Sequence, residues 1–235
     1  MGNKYVDFVS DSDFEECVKK VWSGMSNEMR TDEKLKENGI DPIKMLFDMK
    51  YNDFDLEKWK KRESDRQNDK TGGMDIGDFH QNLLGLVKGW TNLGKGDISG
   101  LDLKKDDNSI FMEIKNKDND LNSKSEMATR RTLYNQHKKT PDATIYFGYV
   151  IPTNKKSEEK DWDPNKKSLE KWEIHDEKIR RISGKKLYEL VTGKKDALEQ
   201  VFHALPLAIK NVSKVDGEFS KTDQNELEKW FKEAF

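Results

Sequence analysis

A single cysteine, Cys17, stands among 235 residues, so the chain can have no internal disulfide framework, and a reducing compartment suits it. Apolar residues make up only 33% of it. No run approaches the roughly 18 apolar residues that a membrane span needs. The start, "MGNKYVDFVSDSDFEE", lacks the apolar centre of a secretory signal. Its Met1-Gly2 pair is half of a myristoylation signal, but Val6 stands where that signal needs Ser or Thr. A formal net charge of −2 gives no global attraction for a polyanion, so any case for one must come from a local patch. There is no internal repeat and no low-complexity tract. These absences point to a soluble cytoplasmic protein with no membrane partner.

What is present divides into three stretches of one domain, 1–235: a helical region over 1–75, a core over 76–153, and a loop with C-terminal helices over 154–235. In the first, Ser12 and Glu15 have capping-box spacing. Phe14, Val18, Trp22 and Met25 recur at helical intervals. Pro42 starts a second helix whose apolar face is Ile43, Leu46 and Phe47. Residues 1–60 hold 10 Lys/Arg against 14 Asp/Glu, so this region packs or shares a subunit interface rather than binding phosphate. "KRESDRQNDKTGG" reads as a helix end and a loop, and "DFHQNLLGLVKGW" as a helix burying Phe79, Leu83, Leu84 and Val87. "SEMATRRTLYNQHKK" is helical with Ser125 as cap. The uncharged "ATIYFGYVI" reads as a strand buried on both faces. "NKKSEEKDWDPNKKS" reads as a charged loop, "ISGKKLYELVTG" as a strand or turn and a short helix stopped at Gly193, and helices near Leu198–Ile209 and Asp223–Phe235 close the chain. The order predicts an α/β fold with a mixed sheet.

The informative segment is "GLDLKKDDNSIFMEIKNK", Gly100–Lys117. Alternation along "SIFMEIK" places Ile110, Met112 and Ile114 on one face and Phe111, Glu113 and Lys115 on the other. Asp102 lies between two leucines on a preceding strand, and the turn "KKDDNS" folds it back beside Glu113. Adjacent carboxylates repel unless a cation lies between them. Mg²⁺ takes hard oxygen ligands, so Asp102, Glu113 and the Ile114 carbonyl form a candidate metal set, with Lys115 as further positive charge for a phosphate in transition. That is the equipment of metal-assisted phosphodiester cleavage by activated water. The acid-x-lysine spacing alone is common here, recurring at Asp32/Lys34, Asp48/Lys50 and Glu158/Lys160. Only Glu113/Lys115 ends an apolar alternating run preceded by "GLDL". Residues 115–139 then hold seven Lys/Arg against three Asp/Glu, a local excess suited to a polyanion.

Together "RQNDK", "IGDFHQNLLGLVKGW", "GLDL", "EIKNK" and "LYELVTG" resemble a group of type II restriction endonucleases of the PD-(D/E)XK superfamily that cut GGNCC-type sites. The resemblance extends over most of the chain, including "DPIKMLFD". It implies a PD-(D/E)XK nuclease core over 76–153 and Mg²⁺-dependent double-strand cleavage of DNA at a short palindrome by a homodimer. It places metal ligands at Asp102 and Glu113 and the catalytic lysine at Lys115; the alternatives are a repair or recombination nuclease with the same site and a non-catalytic DNA-binding protein. A restriction enzyme also implies a cognate DNA methyltransferase in the host. Where the group continues Asn-Lys-His-Asn-Thr after the lysine, this chain has "NKDND", with Asp118 and Asp120. Gln81 takes a supporting place near the metal.

The remaining candidates for DNA contact are Asn116, Lys117, Asn119, Asn122, Ser123 and Lys124 after the acids, Arg130 and Arg131 on the next helix, and Arg180 and Arg181. Adjacent arginines splay apart, so one of Arg130 and Arg131 faces DNA. One of Arg180, Arg181, Lys185 and Lys186 is the expected reader of guanine O6 and N7. His80, beside a buried phenylalanine, reads as a satisfied helix residue rather than a base. His175 and His203 have no zinc-ligand spacing with the cysteine, and the tryptophans read as core or interface.

Overall fold

The computed structural model describes residues 3–25, 28–118, 123–162, 178–215 and 217–235. The chain divides into two compact units, Lys20–Ile76 and a larger one of Met1–Lys19 with Gly77–Phe235. Helices α1 (Asp11–Gly24) and α4 (Leu56–Gly85) each run from one unit into the other. No helix among the described residues is long and apolar enough to cross a membrane.

The larger unit is built on a six-stranded mixed sheet of β1 (Trp90–Asn92), β2 (Leu103–Lys105), β3 (Ile110–Lys117), β4 (Thr144–Ile151), β5 (Glu159–Asp161) and β6 (Ile179–Ser183), in the order β1-β2-β3-β4-β6-β5. β1, β2 and β3 pair antiparallel; β4 runs parallel to both β3 and β6. The β3–β4 step requires a crossover, supplied by α5 (Ser123–Lys139). α6 (Gly184–Thr192), α7 (Ala197–Ser213) and α8 (Lys221–Ala234) follow.

Both faces of the central strands are covered, which is why "TIYFGYVI" carries six buried residues in succession. On one face Phe111, Ile145, Phe147 and Tyr149 pack with Leu133 of α5 and with Leu101 and Trp162. On the other, Met112 and Gly148 face α6: a Cβ on Gly148 would lie 3.1 Å from the Met112 sulfur and 3.4 Å from Leu187. Phe111 is thus as much a core residue as Met112.

Several local expectations are corrected. The first cap is Ser10 rather than Ser12. The Ser10 hydroxyl accepts the Asp13 N–H at 3.2 Å and donates to its carboxylate at 2.6 Å, while Glu15 accepts from the Tyr5 hydroxyl. "RESDRQNDKTGG" is no loop but the middle of the 30-residue α4. Its polar side chains are buried because they serve the backbone of α2 (Asp32–Glu37) and of the segment before it. Ser64 accepts the Arg30 N–H at 2.8 Å, Asn68 donates to the Glu28 carbonyl at 3.1 Å, and Gln67 donates to the Leu35 carbonyl at 3.3 Å. α4 stops at Gly85, so Trp90 opens β1 instead of ending a helix. Ser125 lies inside α5, two residues past its start. Glu159–Asp161 forms an edge strand on β6 within the expected charged loop. In the smaller unit, α3 (Pro42–Asn52) starts as expected, with the Asp41 carboxylate accepting from Ile43 and Lys44 N–H. Its apolar face, however, is exposed.

Candidate active site

Gly100, at φ +69°, turns the chain into Leu101 and Asp102. Pairing of Leu103 with Met112 puts Asp102 opposite Glu113 in the antiparallel ladder, and the Asp102 N–H donates to the Met112 carbonyl at 3.0 Å. The Asp102 Oδ2 accepts the Ile114 N–H at 2.7 Å. Lys115 Nζ lies 2.5 Å from Glu113 Oε1, with Glu113 almost covered (12% exposed) and Lys115 one-third exposed. From α4, Gln81 Nε2 donates to the Ile114 carbonyl at 3.2 Å. Asp102, Glu113, Ile114, Lys115 and Gln81, from three elements, are therefore one cluster.

Burial raises the Glu113 carboxyl to about 7; the Asp102 charge adds to the rise and Lys115 opposes it. Asp102 is also raised, first by burial, against the Ile114 N–H and Lys115, which favour its charged form. Two acids that resist ionisation beside one another have the chemistry of a cation site. The available donors are all oxygens, from two carboxylates and a carbonyl, and they fit a hard divalent ion.

Asp78 is the contributor that the sequence reading missed. It raises the Asp102 carboxyl through its charge and accepts an ion pair from Lys95 at 2.6 Å. Its only sequence signal is its place three residues before Gln81, on the same face of α4.

The other candidates separate. Lys117 ends β3 on the Glu113/Lys115 face, exposed, as are Lys124 and Arg131 on α5. Asn116 alternates to the opposite face, and its Oδ1 is buried with no partner among the described residues. Ser123 is the first residue of α5; Asn119 and Asn122 lie outside the described residues, as does His175. Arg130 is fully buried, 5.9 Å from the Trp162 ring, and so offers no surface to a duplex. Arg180 is held by Glu159 and Asp161, each at 2.8 Å. Arg181 shares the sheet face of the acids through the register Glu113–Phe147–Arg181 and lies over the Tyr149, Phe147 and Trp162 rings at 5.0–5.8 Å. Asp118, where the group's pattern departs, accepts both the N–H and the hydroxyl of Thr153, tying the ends of β3 and β4 together. His80 is a structural residue: its Nδ1 lies 2.6 Å from the Tyr188 hydroxyl, and burial pushes its pKa down to about 4. Away from the site, Glu199, His203 and Glu228 bring ligand atoms within 4.8 Å of one another. Lys232 also pairs with Glu228 at 3.1 Å.

The family described as Eco47II restriction endonuclease matches residues 6–214. The chain belongs to that family. It is 33% identical to the type II restriction enzyme Sau96I of Staphylococcus aureus over 89% of this chain and 81% of that protein. It is 31% identical to the type II restriction enzyme Eco47II of Escherichia coli over 98% of both. The protein is accordingly a site-specific deoxyribonuclease with a PD-(D/E)XK-type α/β core, and its substrate is DNA.

Proposed function

We propose that this restriction enzyme makes Mg²⁺-dependent double-strand cuts at a short palindrome of the GGNCC type, acting as a homodimer. The observation that carries the reading is the Asp102–Glu113–Lys115 cluster, in which burial and the neighbouring Asp102 charge raise Glu113 to about 7. Asp102, Glu113 and the Ile114 carbonyl would hold the ion, and Mg²⁺ suits them because it takes few protein oxygens and retains water. Bound there, such an ion supplies polarisation of the scissile phosphate and acidification of water. Lys115 holds its ammonium between Glu113 and solvent, where it stabilises negative charge arriving on the phosphate. Gln81 fixes the Ile114 carbonyl from behind. The GGNCC assignment rests on the resemblance in "GLDL", "EIKNK" and the α4 run.

Phosphate contacts are assigned to Lys117, Lys124 and Arg131, with Asn119, Asn122 and Ser123 in the segment between them. Arg130 and Arg180 are reassigned to internal packing and ion pairing. A palindrome presents two equivalent strands, which calls for two sites related by a two-fold. The enzyme is placed in the cytoplasm beside a methyltransferase that protects the same sites in host DNA.

The test is digestion of unmethylated phage DNA by the purified protein with Mg²⁺, with EDTA as control. Discrete fragments that vanish with EDTA and end at GGNCC are expected. A smear, or fragments persisting in EDTA, would overturn the reading.

A further inference from the structure

Helix α3 has good local signals and nothing to pack its apolar face against. Asp41 caps it and Pro42 occupies its first turn, yet none of its residues is buried. Ile43, Leu46, Phe47 and Tyr51, at helical spacing, are 69%, 69%, 74% and 92% exposed. An isolated helix shorter than about 12–15 residues is marginal in water, and this one has 11, so an exposed apolar stripe is a poor reason for it to form. The same unit contains a cavity of about 230 Å³ with an apolar wall of Leu35, Ile40, Met45, Leu56 and Trp59. Met45 belongs to α3 itself, so one short helix offers both a ridge and part of a hollow.

The charge around the ridge restricts what can cover it. Residues 41–56 carry two lysines against four aspartates, with one glutamate following at 57. Lys36 and Lys60 line the pocket beside Asp32 and offset that balance, so the patch offers DNA or anionic lipid no uniform positive field. Lys44 pairs with Asp48 on the same helix, leaving a border of both signs around an uncharged centre, the pattern of a protein–protein surface. The four ridge side chains expose on the order of 500 Å², and the pocket mouth adds to this. The sum is about 560 Å², two-thirds of the roughly 800 Å² that each partner gives to a standard interface.

We infer that the α3 ridge and its adjoining pocket form the surface through which two copies of this chain associate. A surface carrying both a projection and a recess is suited to a two-fold contact, in which each copy presents the same patch to the other. The inference rests on the homodimer reading above, and it assigns the residues that make the dimer.

The test compares wild type with Phe47→Glu and Tyr51→Arg by sedimentation velocity, free and bound to a duplex carrying one GGNCC site in EDTA. Tyr51 is exposed enough that its replacement leaves the fold intact, as circular dichroism would verify. Ile98→Glu, at a residue 96% exposed on the larger unit, is the control. Wild type and the Ile98 variant should be dimers, and both α3 variants should dissociate about thirtyfold more readily. Dimers of unchanged strength in both α3 variants would overturn this surface while sparing the homodimer. A wild type that is monomeric alone and single-copy on the duplex would overturn the homodimer reading, and this surface with it.

Discussion

The carboxylate of Asp102 accepts the backbone N–H of Ile114 at 2.7 Å, while the carbonyl of the same residue accepts from Gln81 at 3.2 Å. Ile114 is therefore held at both backbone groups by side chains from two other elements. It is also the residue between Glu113 and Lys115. The arrangement gives Asp102 two separable roles: one oxygen fixes β3, and the carboxylate's charge acts on Glu113.

Asp102→Asn should retain the first role, because an amide oxygen also accepts, and lose the second. Cleavage of plasmid DNA should fall about a thousandfold or more, as for loss of a principal electrostatic group, with circular dichroism unchanged. Glu113→Gln should be equally inactive. It should also melt at a higher temperature than wild type at pH 8 without metal, because it removes a charge that burial disfavours. Full activity in either variant would remove the proposed metal set.

The pH dependence follows from Glu113. Its folded carboxyl, at about 7, lies above its ordinary 4.5, so between these values the folded protein binds more protons than the unfolded chain. Metal-free stability should then decline as pH rises from about 4.5 to about 7, and level off above. Because Asp102 and Glu113 titrate as a pair, the inflection belongs to both. Metal binding should release close to one proton below pH 7 and weaken as pH falls. Calorimetry in two buffers of different ionisation enthalpy measures this. A proton release of zero at pH 6 would contradict it, and His203→Ala should leave the result unchanged if the Glu199–His203–Glu228 group takes no part.

Gln81→Ala tests positioning rather than chemistry, since Gln81 touches the Ile114 carbonyl and not the carboxylates. Activity should drop about ten- to a hundredfold, as is usual when a group supporting a metal ligand is lost. The Mg²⁺ concentration for half-maximal rate should rise in the same variant. A lower rate with unchanged metal dependence would separate Gln81 from the metal.

The neighbours Arg130 and Arg131 should behave oppositely. Arg131→Ala should keep its melting temperature and reduce the salt dependence of DNA binding by about one unit of slope. Arg130→Ala removes a fully buried side chain packed near Trp162 and should lower the melting temperature by several degrees. The reverse pattern would mean that Arg130 is the phosphate contact.

The juxtaposition of Asp102, Glu113 and Lys115 was legible in the sequence because its parts are local: the alternation in "SIFMEIK" and the turn "KKDDNS" are enough to bring Asp102 beside Glu113. Asp78 was not legible, since its effect depends on how α4 meets the β2–β3 hairpin. Arg130 and Arg131 divided as their adjacency implied, but only the packing beside Trp162 decides that Arg130 is the buried member; Arg180 is held at the sheet edge by Glu159 and Asp161. β5 was concealed by its charge. An edge strand needs no apolar alternation when Arg180 on the neighbouring strand pairs with its acids.

The largest misreading, the break expected at "KTGG", supplies the last prediction. Propensity favours a loop there, because each glycine weakens a helix interior by about 1 kcal/mol relative to alanine. α4 nonetheless runs through Gly72 and Gly73, sustained by the buried hydrogen bonds of Ser64, Gln67 and Asn68 one to two turns earlier. A Cβ added at Gly73 would meet nothing within 4 Å. Gly73→Ala should therefore stabilise the protein by about 0.5–1 kcal/mol, measured as a shift in urea midpoint with unchanged slope. Were the chain a flexible loop at this point, the same substitution would leave the midpoint where it is, and the continuous helix would be refuted.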